Sequence, residues 1–374
     1  MHVITGLDMG GAEMMLFKLL SASRDSLQSL VVSLKDQGTI GPSITKLGVP
    51  LQCLHFRPSL PSPARFLSLV SLMREFRPQL IQGWMPHGNL AASLAEVASH
   101  IAVPVIWNVR MSLEATDGEK TITLGLIRLG ALLSRHPTKI IYNSFTGAKQ
   151  HESYGYRATQ SVVISNGFDC DLFRPDEGAH NRICQQLGLE SKAVLIGLVA
   201  RFHPSKDHFG FLRAASLVSA MHPESRFLLV GKGLVETERE LTTLVSQLHL
   251  TGRVFLLGER TDTPQLTAGL DIACSSSVYE GFSNSIGEAM ACGVPCVVTD
   301  VGDSAQLVVD TGLIVPARNP EALAHAMGQL IDAGPAKRKE LGTAARRRIE
   351  SEFSLPKIAR RYEDLYRECL ASPS

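Results

Sequence analysis

No run in the 374-residue chain approaches the roughly 18 apolar residues that a membrane-crossing helix needs. Asp8 and Glu13 interrupt the amino-terminal stretch where a secretory signal would carry its apolar segment, so a cytoplasmic location is expected. Excess charge is missing too. Lys and Arg total 37 against 36 Asp and Glu, a net charge of +1, so no overall field favours nucleic acid as a partner, although a local basic patch can still meet an anionic lipid surface. The seven cysteines, Cys53, Cys170, Cys184, Cys274, Cys292, Cys296 and Cys369, are odd in number and scattered through apolar runs, which reads as reduced thiols packed as small hydrophobes. Cys292 and Cys296 would share a helix face, but Pro295 interrupts that helix, and no His or Cys cluster completes a ligand set, so no metal is expected. The GxGxxG dinucleotide fingerprint is absent as well.

What is present is an ordinary globular composition, 44% apolar and 20% charged, on a chain too long for one core. Apolar segments ending in Gly, Asn or Ser alternate with longer amphipathic ones, the pattern of parallel strands joined by crossover helices, so the fold class is α/β. A first series of strands is read at HVITGL, LVVSL, LIQGW, PVIWNV, IIYNS and SVVISNG, and a second at AVLIGLVARF, RFLLVG, RVFLLGE, LDIACSSS, PCVVTDVG and GLIVP. Between them, GFDCDLFRPDEGAHNR is polar and carries Gly and Pro, which suggests an inter-domain connection. The expected layout is residues 1–175 and 183–353 as two doubly wound domains, followed by a terminal helical segment, 354–374.

In open parallel sheets, ligands sit beyond the carboxyl ends of the strands, so chemistry is sought at strand-to-helix turns. The stretch YEGFSNSIGEAMACGVP follows such a strand. Gly281, Phe282, Ser283, Asn284 and Ser285 would expose backbone N–H groups at a helix start, which suits an anion such as phosphate. Glu280 and Glu288 would repel a phosphate but suit hydroxyls on either side of it, the outline of a nucleotide-sugar. Equally, Glu288 can complement the helix dipole and Glu280 can cap a loop. In ARFHPSKDH, Arg201 as a planar fork and Lys206 as a point charge can converge on a diphosphate; a solvated basic loop is the alternative. Gly231 in VGKG and Gly258 in LGER end strands where a ligand can approach the backbone, or are plain tight turns.

These motifs, together with the early GLDMGGAE, resemble in order and spacing the family-4 retaining glycosyltransferases of bacterial polysaccharide and lipopolysaccharide biosynthesis. The resemblance covers nearly the whole chain. It implies the GT-B fold, two Rossmann-like domains facing a cleft, with the second binding the donor nucleotide-sugar, the first binding the acceptor, and the last helix returning to the first domain. It also implies that Glu280 contacts donor sugar hydroxyls, Glu288 the ribose, Arg201 and Lys206 the diphosphate, and that the turn carrying Gly258 and Arg260 lies against the base. The chain starts almost inside its first strand, shorter than is usual there, so a few upstream residues are expected to be missing.

In the first domain, Gly10 and Gly11 form a Gly-rich turn where backbone can approach donor phosphate or acceptor. Arg110 stands where many relatives carry a histidine, and reads either as a phosphate or acceptor-diphosphate contact or as a surface or ion-paired residue. His87 opens a helix after a strand and can orient an acceptor hydroxyl or simply cap the helix. The implied reaction is metal-independent, cofactor-free transfer with retention from a nucleotide-sugar, UDP-linked by expectation, to a glycan or polyprenyl-diphosphate-linked acceptor. Peripheral contact with the inner face of the membrane would run through FLSLVSLMREFRP, which is equally an ordinary amphipathic helix. A nucleotide-sugar epimerase or hydrolase of the same fold is the alternative. An oxidoreductase using Asp36 and a non-catalytic regulatory homologue are more distant rivals.

Overall fold

The computed structural model describes residues 1–56, 62–113 and 121–371, with side chains throughout except at 121–123. Among the described residues, thirteen strands fall into two sheets. The first contains β1 (His2–Ile4), β2 (Val31–Ser33), β3 (Leu51–Cys53), β4 (Ile81–Trp84), β5 (Val105–Val109), β6 (Lys139–Tyr142) and β7 (Ser161–Val163), in the order β3-β2-β1-β4-β5-β6-β7. The second contains β8 (Val194–Val199), β9 (Ser225–Val230), β10 (Val254–Leu256), β11 (Ile272–Ser275), β12 (Cys296–Thr299) and β13 (Gly312–Val315), in the order β10-β9-β8-β11-β12-β13. Every pairing is parallel, for example Val3 beside Val32 and Gly83, and Ile196 beside Phe227 and Ile272.

The α/β expectation holds for the reason the pattern implied. Helices cover both faces of a parallel sheet, so central strands read as continuous apolar runs: β1, β4 and β5 are buried at every residue. The edge strands β7 and β10 are only half-buried. One strand, β3, is absent from the sequence reading. Its three residues, Leu51–Cys53, alternate half-buried and exposed at the sheet edge, too short a segment to display a period, and it is located by pairing with β2.

The chain divides into two compact units, Met1–Gly167 with Leu355–Ser374, and Phe168–Ser354. The first division falls at Gly167, the first residue of the polar connection read from composition, and before the domain limit expected at 175. Phe168 already belongs to the second unit: its N–H donates to the Phe353 carbonyl at 2.9 Å, and its ring stacks on Phe282 at 6.1 Å. Gly287 completes that nest, since a Cβ there would lie 1.9 Å from the Phe168 ring. This is why position 287 of the helix Asn284–Ala291 is glycine.

The helix Leu355–Ala371 buries Ile358, Ala359, Tyr362, Leu365, Tyr366 and Cys369, a stripe at three- and four-residue spacing. That stripe joins a core with Ile4, Leu16, Leu19, Ile106 and Ile141 of the first unit. Burying each large apolar side chain contributes roughly 1.5–3 kcal/mol, enough to fix this helix in that unit. Asn108 Nδ2 donates to Tyr362 Oη at 3.1 Å, Tyr366 Oη donates to Gln82 Oε1, and Lys139 pairs with Glu368 at 2.8 Å. Residues 372–374 of the expected terminal segment lie outside the described residues.

Candidate functional site

In the second sheet the chain builds outward from β8 first through β9 and β10, then in the other direction through β11, β12 and β13. The crevice where strand order reverses lies beyond the carboxyl ends of β8 and β11, the place such sheets reserve for ligands. The two richest motifs sit there. ARFHPSKDH leaves β8 and leads into the helix His208–Met221; SSSVYEGFS leaves β11 and leads into Asn284–Ala291.

Backbone and hydroxyl bonds hold these loops together. Ser276 Oγ donates to the Lys206 and Asp207 carbonyls at 2.7 and 3.1 Å, and Val278 N–H donates to the Ser205 carbonyl at 2.8 Å. The loop after β12 braces the other side: Thr299 Oγ1 donates to the Ser277 carbonyl at 2.6 Å and Asp303 N–H to the Gly281 carbonyl at 3.1 Å. Gly302, at φ +57°, is required here, because a Cβ would meet the Glu280 carbonyl oxygen at 2.2 Å.

Lys206 and Glu280, read from the sequence as contacts to two different parts of one ligand, are bonded directly to each other, Nζ to Oε2. Their side chains are only 23% and 16% exposed, and Ser277 Oγ donates to the same carboxylate oxygen at 3.3 Å. Arg201 is exposed and makes no ion pair among the described residues. His208, the first residue of its helix, is buried with its ring edge-on to Phe202 at 5.5 Å; burial lowers its pKa to about 4, so it is neutral at physiological pH.

Phe282 is a core residue, buried between Phe168 and Phe353, so its side chain anchors the loop. Ser283 is the N-cap of Asn284–Ala291 without a side-chain cap bond, which leaves the first helical N–H groups without a side-chain acceptor from that position. Asn284, Ser285 and Glu288 are half-buried on this short helix, Glu288 one turn beyond Asn284.

Gly231, Gly258 and Arg260 each have partners within the chain. Gly231 does permit a close approach, but of another loop: at φ +149° its absent Cβ would lie 2.2 Å from the Ala200 carbonyl oxygen, and its N–H donates to the Gly258 carbonyl at 2.8 Å. Gly258, at φ +63°, closes the same turn by donating to the Leu234 carbonyl at 2.8 Å. Arg260 is committed locally. Its Nε and Nη2 grip both carboxylate oxygens of Asp262 at 2.8 and 2.6 Å, a pairing two residues apart that the sequence reading missed.

The first unit has its own reversal between β1 and β4, and the Gly-rich turn and His87 sit at the ends of those strands. Gly10 is the extended N-cap of the helix Gly11–Ala22. A Cβ on Gly10 would meet Glu13 Oε2 at 2.4 Å, so the Glu13 carboxylate lies over this helix start and bonds its own backbone N–H. Burial raises the Glu13 pKa, an effect opposed by that bond and by Arg110. The position offered to an incoming phosphate is thus held by a carboxylate of the chain. His87 is the third residue of Met85–Ser99; partial burial, with Lys35, lowers its pKa. The residue that opens this helix is Met85, in the left-handed region at φ +64° directly after β4.

Arg110 is neither an ion-paired surface residue nor turned to solvent. Its Nη1 donates to Asn108 Oδ1 at 3.4 Å and Tyr362 Oη at 3.3 Å, its Nη2 donates to Asn166 Oδ1, and the guanidinium lies 5.7 Å from the Trp84 ring centroid. It ties the end of β5 to the terminal helix. Among the described residues, no group of three or more His, Cys, Asp or Glu is placed to hold a metal ion, and no helix is long and apolar enough to cross a membrane.

Comparison with known proteins bears on the family and the fold. Residues 9–172 match the family described as Glycosyltransferase Family 4, and residues 193–333 match Glycosyl transferases group 1. The chain is similar to the lipopolysaccharide core biosynthesis mannosyltransferase LpsB of Rhizobium meliloti (strain 1021), with 26% identity over 80% of this chain and 81% of that one. It is also similar to the UDP-Gal:alpha-D-GlcNAc-diphosphoundecaprenol alpha-1,3-galactosyltransferase of Escherichia coli, 26% identical over 54% of this chain and 53% of that one, so here the match spans about half of the curated relative. Among solved structures, Anabaena HepE in complex with UDP superposes with a TM-score of 0.87 at 24% identity, covering 98% of this chain and 99% of that one, a likeness of fold. The fold is accordingly the GT-B type, and the chain belongs to the group 1 and family 4 glycosyltransferases.

Proposed function

We propose that the protein moves a sugar from a nucleotide-sugar, UDP-linked, to a lipid-linked or growing surface glycan, with retention of anomeric configuration. The observation that carries this reading is the crevice beyond β8 and β11, where the loop carrying Arg201 and Lys206 is bonded to the loop carrying Glu280, just ahead of the helix Asn284–Ala291 that carries Glu288. When the anomeric bond breaks, its electron pair leaves on the diphosphate, so the catalytic task is to stabilise charge on phosphate oxygens. Arg201 is suited to a forked contact, Lys206 to a point contact, and the helix start to N–H donation. Glu280 and Glu288 are acceptors for sugar and ribose hydroxyls. The side chains supply the counter-charge, so activity is expected to survive EDTA. No carboxylate is assigned as a nucleophile, and retention is assigned to front-face attack assisted by the leaving phosphate.

The acceptor is assigned to the first unit, at the ends of β1 and β4, where Glu13 and His87 can address a hydroxyl. Arg110 serves the terminal helix instead. The relatives support a glycan or lipid-linked acceptor: that from Escherichia coli is named for a diphosphoundecaprenol substrate. Peripheral contact with the cytoplasmic face of the membrane follows if the acceptor is lipid-borne. Thermal unfolding of the purified protein with UDP, GDP and ADP and their sugars tests the reading. A ligand at 100 times its dissociation constant stabilises by about 2.7 kcal/mol, and Lys206→Met is expected to remove most of that gain. No shift with any nucleoside diphosphate overturns the assignment.

A further inference from the structure

Glu280 has little freedom except in its side chain. The Gly281 carbonyl accepts from Asp303, and the backbone of Gly302 lies against the Glu280 carbonyl with no room for a Cβ. Lys206 is held just as firmly, ending a single 3-10 turn, Pro204–Lys206, with its carbonyl bonded by Ser276. The two loops are therefore fixed in register, and the Glu280 carboxylate sits on the Lys206 ammonium in a partly buried setting. Any phosphate that uses Lys206 must share it with Glu280 or turn that carboxylate away.

Donor and product differ in what they offer the displaced carboxylate. An intact nucleotide-sugar carries one charge on its esterified terminal phosphate and brings sugar hydroxyls that can donate to Glu280. The nucleoside diphosphate left after transfer has lost those hydroxyls, and its terminal phosphate has gained charge with the electron pair of the broken anomeric bond. Glu280 then faces a more anionic group with no donor in return. We propose that Glu280 discriminates the intact donor from the product nucleoside diphosphate by competing with the product's terminal phosphate for Lys206, and so favours product release. This rests on the reading that the crevice takes a nucleotide-sugar.

Isothermal titration of UDP and UDP-glucose, with the GDP and ADP pairs alongside, tests it on wild type, Glu280→Gln, Lys206→Met and the double variant, each first checked for an unchanged unfolding midpoint. Glu280→Gln is expected to bind UDP about fivefold tighter, near the upper range for a modestly exposed pair, while UDP-glucose is bound no tighter or more weakly. In the Lys206→Met background the same change is expected to alter UDP affinity by under about twofold, because the competed-for cation is gone. Unchanged or weaker UDP binding in Glu280→Gln overturns the proposal. So does an equal gain for UDP-glucose, or an equal gain without Lys206. A wild-type protein that binds none of the nucleotides overturns the site assignment itself, a distinguishable result.

Discussion

Replacing Gly231 by Ala measures how far the donor-side crevice depends on one loop lying against another. At φ +149° the position is in a region that side chains rarely adopt, and the new Cβ would lie 2.2 Å from the Ala200 carbonyl oxygen and 2.9 Å from the Arg201 nitrogen. Both neighbours are backbone, so neither can yield by rotating a side chain. A sparsely populated backbone region costs about 1–3 kcal/mol, and overpacking about 1–3 kcal/mol more, together about 2–6 kcal/mol unless the loop after β8 moves. Gly252 is the control. It also has positive φ, +74°, but no atom lies within 4 Å of its would-be Cβ, so Gly252→Ala should cost only the left-handed backbone preference, about 1–2 kcal/mol. Urea unfolding followed by far-UV circular dichroism gives the comparison. Tryptophan fluorescence adds a second channel, since both tryptophans, Trp84 and Trp107, lie in the first unit and Gly231 in the second. The Gly231 variant is also expected to lose nucleoside diphosphate affinity, because Arg201 follows Ala200 directly. Equal destabilisation by the two substitutions, or an unaltered affinity in Gly231→Ala, would refute the close-packing argument.

Two further outcomes are expected. Tyr362→Phe removes the oxygen that accepts from Asn108 Nδ2 and Arg110 Nη1, and should destabilise by about 1–3 kcal/mol, read in the tryptophan channel, by leaving a buried amide unpaired. His180 Nε2 lies 3.2 Å from Asp271 Oδ2, and that bond, opposed by burial, raises the His180 pKa. A raised folded-state value means that this contribution is complete below the ordinary histidine value of about 6.5 and fades as pH rises through the folded value. The pH dependence of unfolding should therefore lose that slope in His180→Gln, and an unchanged slope would remove the coupling.

Much of this protein is legible along the chain because parallel strands covered on both faces are short apolar blocks, and LVVSL, LIQGW and PVIWNV announce β2, β4 and β5 directly. The strand-to-helix turns carry their own chemistry in Gly, Ser and charged residues, so the location of the crevice followed from local pattern plus strand order. Partnership is what local pattern does not carry. Lys206 and Glu280 are 74 positions apart, and Arg110 and Tyr362 are 252 apart; each pairing exists only because the sheet order sets two loops, or a strand end and the terminal helix, side by side. Glu13 is the exception among the missed residues. A Gly N-cap followed three positions later by Glu is the spacing of a carboxylate that turns back on its helix start, and it was available in GGAE.

The glycines show where precision in this architecture comes from. Gly231 makes room for the Ala200 carbonyl, Gly302 for the Glu280 carbonyl and Gly287 for the Phe168 ring, so four loops and a helix of the second unit are positioned by contact with backbone or with a buried ring. A loop held through its backbone keeps its side chains free to exchange partners without moving the frame. Glu280 is the plainest instance: its carbonyl lies against the Gly302 backbone, while its carboxylate meets Lys206 and Ser277 and is the part with a choice to make. A ligand-exchanging side chain on a support held through its backbone is the arrangement that the proposed discrimination between donor and product requires.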